Sequence, residues 1–244
     1  MGANAQTAVP AFTAGQVLTA AQMTQVNTGI PVFATTVTRD AAFGGTGEKT
    51  LAQGQYAYIE ASSTLQVYSG SAWVNVGSGL VFLTGASFSA AATVSLPAST
   101  FTTTYSNYRV MFDVSAASVD SSVVTCRLRA AGSDSSAASY SNAGVTYFIG
   151  GATIGANNVL SGTAWTFTQF NGTDNNALMI DLYNPQATQI TKIFYQNYGR
   201  VGGAQGGVNG SGQFNATTAF DSLTVYPASG TITGSYKVYG YSNS

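Results

Sequence analysis

Few residues in this chain belong to the types that carry out acid–base or nucleophilic chemistry. Its 244 residues include no histidine, the commonest general base and a common metal ligand. Asp113 and Asp181 fall on the polar sides of predicted strands, where a solvated or ion-paired carboxylate is the ordinary interpretation. A nucleophilic serine or threonine would have no histidine to activate it. We therefore predict that the chain is not an enzyme and has no catalytic residues.

Two polar or glycine-rich runs have compositions that could suggest ligand-binding loops. Residues 171–176 carry side-chain oxygens, but Asp174 is their only carboxylate, and Ca²⁺ sites need several. Residues 202–212 are rich in glycine but lack the Lys-Ser/Thr pair and the following helix of a phosphate-binding loop. We predict a turn at 171–176 and a mobile connecting loop at 202–212, with a partner-contacting loop as the alternative. No metal and no cofactor are predicted.

The charge and cysteine content narrow the possible partners. Only 7% of residues are charged and the formal net charge is −1, so the sequence predicts no binding to nucleic acid. No apolar run approaches the roughly 20 residues that span a bilayer, which predicts no membrane insertion. The N-terminus lacks the basic and apolar regions of a secretory signal, so we expect synthesis in a cytoplasm. Cys126 is the only cysteine, and its alternation with polar neighbours predicts a buried thiol.

Aromatic side chains are the strongest candidates for recognition. The strands of the C-terminal half carry more tyrosine, tryptophan and phenylalanine than a core strictly needs. Aromatic faces close to Asn, Gln and Ser suit both stacking on sugars and protein–protein contacts. Packing in the core is the alternative for each of them. We predict four receptor contacts: Tyr140, Tyr147, Trp165 and Tyr198.

The elements that must position these side chains are predominantly strands. Residues 104–115 and 121–130 alternate apolar and polar residues with a period of two, and the short polar connection 116–120 predicts that they pair as a hairpin. Eleven such runs follow residue 79, separated by Gly, Asn, Asp and Ser. The predicted fold is mostly β, with residues 80–244 forming a large antiparallel, jelly-roll-like sandwich.

The N-terminal third has a different character. Residues 39–79 contain three short strand patterns and are predicted to form a small β module. Residues 1–38 carry one short helix, for which Thr19 and Gln22 form a capping box. So short a helix needs a partner, which predicts that residues 1–38 attach the chain to another protein; a disordered tail is the alternative. The predicted attachment residues are apolar: Phe12, Val17, Leu18, Met23 and Val26.

Three of these stretches resemble one known family. Residues 12–23 are similar to the N-terminal segments of tailed-bacteriophage tail fibre and minor tail proteins. Residues 39–73 resemble a small β module that is common in the same proteins. Residues 101–110, followed by 127–132 and a tyrosine-rich ending, are similar to their C-terminal sandwich domains.

The resemblance implies a virion protein assembled in the host cytoplasm. It implies a homotrimer that joins other virion proteins through its N-terminus and recognises a host surface glycan or protein through its C-terminal domain. The scarcity of charge also suits a surface that sister chains cover. The chain lacks the long shaft of extended fibres, so a head fibre or a capsid decoration protein is an alternative to a short tail fibre. A free lectin and a polysaccharide depolymerase are further alternatives.

Overall fold

The computed structural model describes Val9 and residues 11–26, 29–46, 48–77, 79–149, 154–172, 174–201 and 204–242, without the side chains of 24–26. As predicted, the fold is mostly β, with 55% strand and 4% helix. The chain divides after residue 78 into two compact units. That division lies one residue from the predicted boundary at 79/80, whereas the predicted boundary at 38/39 falls inside the first unit.

In the first unit, the residues that the structure describes form a four-stranded mixed sheet with two short helices. Its elements are α1 (Ala20–Val26), β1 (Val32–Phe33), α2 (Thr36–Asp40), β2 (Tyr56–Ile59), β3 (Thr64–Tyr68) and β4 (Trp73–Asn75). The predicted three-stranded module is present as β2, β3 and β4. Strand β1 adds to it by pairing in parallel with β2, which places Phe33 in a small core with Ile59 and Val9. Residues 32–38 therefore fold as part of this module.

The described residues of the second unit form thirteen strands, all paired antiparallel. They are β5 (Leu80–Ala91), β6 (Val94–Ser95), β7 (Asn107–Ala117), β8 (Ser122–Ala130), β9 (Ser133–Asp134), β10 (Tyr140–Phe148), β11 (Ile154–Gly162), β12 (Trp165–Phe170), β13 (Asn176–Tyr183), β14 (Thr191–Val201), β15 (Ala204–Phe214), β16 (Ser222–Pro227) and β17 (Ile232–Tyr241). A unit of many strands was expected from the spacing of the turn residues.

The long ladders define an eight-stranded sheet in the order β5-β17-β7-β13-β14-β15-β10-β11. Strands β12, β8, β16 and β6 form a second, shorter sheet, and β9 pairs with β8. One residue pair, Gln169 with Arg200, joins β12 to β14 and links the two sheets. The unit is therefore a sandwich that closes along one corner, in agreement with the predicted fold class.

The core lies between these two sheets. Alternate residues of each strand point inward, because successive side chains of a strand face opposite sides. On β7 these include Val110 and Phe112, and on β8 they include Val124, Cys126 and Leu128, all of which belong to one buried cluster. The predicted burial of Cys126 is thus confirmed.

The predicted hairpin between the β7 and β8 regions is wrong. Strand β7 pairs with β13 and β17, whereas β8 pairs with β12, β16 and β9. The turn between them carries the chain from one sheet to the other, so the two strands lie in different sheets and contribute inward side chains to the same buried cluster. Both arrangements bury alternate residues, and a period of two reports burial without identifying the neighbouring strand.

The glycine-rich run is also not the loop that was predicted. Its described part, from Ala204 onward, is strand β15, which is central in the large sheet and pairs along its length with β14 and β10. Glycine makes this pairing possible. A Cβ atom at Gly206, Gly207 or Gly210 would collide with a backbone carbonyl oxygen of the neighbouring strand. The glycines therefore allow an unusually close approach of three backbones.

Candidate functional site

The outer face of the eight-stranded sheet, the face that points away from the core, carries the candidate site. Along β14, Ile193, Tyr195 and Asn197 are buried, whereas Phe194 and Gln196 are exposed. The same alternation continues through β15 and β10, because directly opposed residues of an antiparallel pair point to the same side. This regularity allows the outer face to be followed from strand to strand.

The strand register aligns one row of outward residues straight across the sheet. Phe194 of β14 is opposite Asp181 of β13 on one side and Ser211 of β15 on the other. From the β5 edge to the β11 edge, the complete row is Phe82, Tyr239, Arg109, Asp181, Phe194, Ser211, Ala143 and Asn158. Phe194 therefore stands near the middle of the outer face.

The side chain of Phe194 is 57% exposed although it is a large apolar group. The ring of Tyr183 contacts it edge to face, with 5.7 Å between the ring centroids. On the opposite side, the next two residues of the row are Ser211 and Ala143, whose side chains are too small to cover the Phe194 ring. The ring is held from one side and open on the other, which is the arrangement of a platform for a ligand.

Three polar side chains with no hydrogen-bond partner among the described residues lie beside the Phe194 ring. Gln196 is two residues further along β14, and Asn209 is directly opposite it on β15. Within the described part of the chain, the side chains of Gln196, Asn209 and Ser211 make no hydrogen bond to another residue. Their amide and hydroxyl groups can donate and accept, and all three are exposed.

A charged cluster borders the site on the β7 side. The Arg109 guanidinium donates from Nε to Asp181 Oδ1 and from Nη2 to Asp181 Oδ2, both at 2.7 Å. The Tyr241 hydroxyl donates to the same Oδ1 at 2.8 Å. The hydrogen bond to Asp181 raises the pKa of Arg109. Burial, together with the hydrogen bond to Asp181, raises the pKa of Tyr241 to about 12. The charges of Arg109 and Asp181 therefore compensate each other at neutral pH.

Two adjoining hollows form a groove around the Phe194 ring. The larger, of about 760 Å³, extends from Phe194 toward Gln196, Asn209 and the Arg109–Asp181 pair. The smaller, of about 460 Å³, extends in the opposite direction toward Lys192. Both are lined by Ala143, Phe194 and Ser211. We call the two together the Phe194 groove.

Two of the four predicted receptor contacts are core residues. Tyr140 and Trp165 are completely buried and pack edge to face, with ring centroids 5.0 Å apart. The Tyr140 hydroxyl accepts from the Leu128 amide at 3.0 Å and donates to the Ser135 carbonyl at 2.9 Å. The Trp165 indole N–H donates to the Gln213 carbonyl at 3.2 Å. Neither side chain reaches the surface, so the expectation that they contact a receptor is corrected.

The other two, Tyr147 and Tyr198, are brought together on the outer face. Both are opposite Gly207, Tyr147 from β10 and Tyr198 from β14. A Cβ atom at Gly207 would lie 2.5 Å from the Tyr147 hydroxyl oxygen, so the tyrosine side chain covers the glycine. Both tyrosines are half-buried, and they lie one strand-pair row beyond Gln196 and Asn209. They therefore extend the outer face past the larger hollow.

The predicted attachment residues lie on the surface of the first unit. Phe12, Leu18 and Met23 are exposed, and Val17 is 89% exposed. The capping box of α1 is confirmed, since the Gln22 amide N–H donates to Thr19 Oγ1 at 3.2 Å and the Thr19 amide N–H donates to Gln22 Oε1 at 3.0 Å. The side chain of Val26 lies outside the described residues.

A further groove, of about 730 Å³, lies in the first unit and is lined by Arg39, Gln66 and Trp73. The Arg39 guanidinium is buried and lies 4.7 Å from the centroid of the Trp73 ring. It also donates to Asp40 at 2.7 Å and to Gln66. These contacts hold α2 against β3, and we assign Arg39 a structural role.

The residues that sequence reasoning missed are Phe194, Gln196, Asn209 and Ser211. One available signal pointed to Phe194. Residues 190–198 are one of the eleven strand-like runs that follow residue 79, and within this run Ile193 and Phe194 are adjacent and both apolar, so one of them must face outward. Asn209 and Ser211 gave no such signal, because the glycines around them favoured a loop.

Among the described residues, no group of three or more His, Cys, Asp or Glu is placed to hold a metal ion. In the same part of the chain, no helix has both the length and the apolar character needed to cross a bilayer. No protein-family model matches the sequence. A search of curated proteins likewise finds no significant match.

Proposed function

We propose that the chain is a structural virion protein of a tailed bacteriophage, a short fibre that recognises the host surface. In this proposal the N-terminal segment attaches to other virion proteins, and the sandwich binds a host surface glycan without cleaving it. The observation that supports recognition is the Phe194 groove, where an exposed aromatic ring lies among both apolar side chains, such as Val145 and Met179, and polar side chains with no hydrogen-bond partner in the described part of the chain. The resemblance of the sequence to phage tail proteins supplies the setting.

The geometry favours binding over hydrolysis. Glycoside hydrolysis ordinarily needs two carboxyl groups on either side of the bond that is cleaved. In the Phe194 groove the lining carboxylate is Asp181, and both of its oxygens accept hydrogen bonds from Arg109, one of them also from Tyr241. A carboxylate engaged in this way is positioned to hold the sheet face together and is unsuited to proton transfer.

The exposed apolar residues near α1 support attachment through the N-terminus. Phe12, Val17, Leu18 and Met23 leave apolar surface in water, and covering it would contribute roughly 25 cal/mol per Å². We propose that these residues contact other virion proteins. A homotrimer is part of the same proposal, since sister chains would cover further exposed apolar side chains at the two edges of the large sheet, Leu80 on β5 and Ile154 on β11.

One experiment tests recognition and separates it from the alternatives. The purified full-length chain would be applied to a glycan array and, in parallel, incubated with host polysaccharide while reducing ends are measured. Binding without release of reducing ends supports the proposal, whereas release identifies a depolymerase. Immunogold electron microscopy of intact particles would distinguish a tail fibre from a head fibre or decoration protein. Absence from particles would point to a free lectin.

A second experiment tests attachment. Because Val9 and Phe33 belong to the core of the first unit, deleting residues 1–38 would damage that unit as well as the surface. Replacing exposed residues avoids this problem. We expect the double variant Val17→Ser, Met23→Ser to fold normally and to be incorporated into particles at reduced copy number. Replacement of the exposed Val37 on α2 by Ser provides the matched control. Normal incorporation of the double variant would place the attachment surface elsewhere.

A further inference from the structure

We propose that the Phe194 groove binds an uncharged oligosaccharide, with one sugar ring stacked on Phe194 and the chain running along strands β14, β15 and β10. This inference rests on the proposed function, because it names the ligand class of the same face. The inference adds three statements to the proposed function: where the ligand binds, how the ligand lies on the sheet and what charge the ligand carries.

Stacking is the first step of the argument. A pyranose ring presents several C–H groups on one face, and these pack well against the negative face of an aromatic ring. The Phe194 ring meets this requirement because it is 57% exposed and Tyr183 supports it from one side. The small side chains of Ser211 and Ala143 leave space for a ligand on the other side.

Hydrogen bonding is the second step. A sugar bears many hydroxyl groups that both donate and accept, so its site must offer both kinds of partner. Gln196 and Asn209 carry amide groups with both functions, and Ser211 adds a hydroxyl. All three line the larger hollow, and none is used within the described part of the chain. A protein partner with an apolar contact surface would leave these groups buried and unsatisfied, at a cost for each.

Charge is the third step. Arg109 borders the larger hollow, but its guanidinium is bound in a two-pronged arrangement by Asp181. An acidic sugar would therefore meet no net positive charge in this hollow. Lys192 at the far end of the smaller hollow is a single, exposed amine, whose attraction for an anion is weakened by solvent and salt. The groove as a whole suits an uncharged ligand.

The length of the groove is the fourth step. Gln196 and Lys192 are four residues apart on one strand, which corresponds to about 13 Å at roughly 3.3 Å per residue. The two hollows lie on either side of the Phe194 row and are connected past Ser211 and Ala143. Space on both sides of a stacking residue fits a chain of several sugars better than a single one.

The chain offers a well-matched control for the decisive variant. Phe82 lies in the same row of the sheet as Phe194, is 58% exposed and also contacts one tyrosine ring edge to face, that of Tyr239. It stands at the β5 edge and does not line the groove. Replacing either phenylalanine by alanine removes a similar exposed ring, but only Phe194→Ala changes the proposed site.

The test measures binding of the full-length chain to an array of defined oligosaccharides. Neutral probes contain glucose, galactose, mannose, rhamnose or N-acetylglucosamine, and acidic probes contain uronic or sialic acids. We expect the wild type to bind at least one neutral probe. Its affinity for that probe should change little between about 50 mM and about 500 mM salt. The Phe194→Ala variant should lose about tenfold or more in affinity. Phe82→Ala should bind like the wild type. Ser211→Trp, which fills the groove, should also abolish binding while its melting temperature stays close to that of the wild type.

Several outcomes would overturn the inference. If the wild type binds a glycan and neither Phe194→Ala nor Ser211→Trp weakens it, the site is wrong, although glycan recognition stands. Binding restricted to acidic probes, with an affinity that falls as salt rises, would refute the uncharged ligand. If no probe binds and Phe194→Ala instead dissociates an oligomer in light scattering, the face is a contact between copies. The proposed function fails on separate observations: release of reducing ends from host polysaccharide, or absence of the chain from intact particles.

Discussion

Tyr140 and Tyr147 show at the scale of single residues how position on a strand decides the role of a side chain. Both lie on β10, but they are seven positions apart, an odd number, so they point to opposite faces. Tyr140 is buried among Trp165 and Phe214, and Tyr147 covers Gly207 on the outer face. The same chemical group thus holds the core together at one position and is available to a ligand at the other.

The two tyrosines should respond differently to loss of the hydroxyl. Tyr140→Phe leaves the Leu128 amide and the Ser135 carbonyl without their partner, and we expect a loss of roughly 1–3 kcal/mol in the free energy of unfolding. Tyr147→Phe should change it by less than about 0.5 kcal/mol, as is usual for surface substitutions. Denaturant unfolding of both variants measures the difference. Equal effects would contradict the assignment of Tyr140 to the core.

Tyr241 predicts a loss of stability in alkaline solution. Its pKa is about 12 in the folded chain, against an ordinary value of 10.0. Between about pH 10 and pH 12 the unfolded chain therefore releases this proton first, so the stabilisation is complete below pH 10 and is lost as the pH rises toward 12. Burial also raises the pKa of Tyr140 and Tyr195, which adds to the same trend.

The measurement is the free energy of unfolding as a function of pH. We expect a smaller decrease between pH 10 and pH 12 for Tyr241→Phe than for the wild type, because the variant lacks the titrating hydroxyl. The remaining buried tyrosines should keep part of the decrease in both proteins. Identical curves would show that folding does not raise the pKa of Tyr241.

Sequence reasoning identified aromatic residues as the recognition chemistry but could not choose among them. Period-two patterns assign a residue to one of two faces, and only packing shows which face is covered. On β14 the adjacent apolar residues Ile193 and Phe194 showed that one of the two had to face outward. On β10 the pattern is interrupted by Gly144, so the inward position of Tyr140 could not be inferred from its own strand.

At the scale of elements, strand β15 is the clearest departure from expectation. Glycine normally weakens a strand, and a run containing many glycines is typical of a loop. Here the Tyr195 ring lies across Gly210 and Gly144 on the inner face, where larger residues would displace it. The strand is stabilised by its neighbours, which local composition cannot show. This also explains why the pairing order could not be predicted although most strands were.

The substitution Gly210→Ala adds only one methyl group, but it should destabilise the fold strongly. The new Cβ would collide with the Ala143 carbonyl oxygen and lie 2.5 Å from the Tyr195 ring. We expect a loss of about 1–3 kcal/mol in the free energy of unfolding, as for other overpacked sites. The neighbouring change Ser211→Ala, on the open face of the same strand, is the control and should be nearly neutral. A neutral Gly210→Ala would mean that β15 is less closely paired than described.

At the scale of the whole molecule, each of the two units has its own buried core. The first core is small and centres on Phe33, Ala57 and Ile59, whereas the second fills the space between two sheets. Composition and turn spacing predicted a boundary at 79/80, and the structure divides after residue 78. They were not enough to show that β1 belongs to the small sheet, because a two-residue strand has no detectable period.

We expect the fragment 79–244 to fold without the first unit. The full-length chain should show two thermal transitions in calorimetry, one of which coincides with the single transition of the fragment. The fragment should also keep the far-ultraviolet circular dichroism of a β protein. A single transition of the full chain, together with an unfolded fragment, would show that the sandwich depends on the N-terminal unit for stability.

The alternation along β14 has a consequence for how this protein can diverge. Inward residues such as Ile193 and Tyr195 are constrained by the core, whereas Phe194 and Gln196 between them are not. Substitutions at the outward positions can accumulate at little cost to folding, since surface changes usually alter stability by less than about 0.5 kcal/mol. Variants of this chain that differ in the outer face could therefore keep one scaffold while exchanging one ligand for another, a single residue at a time.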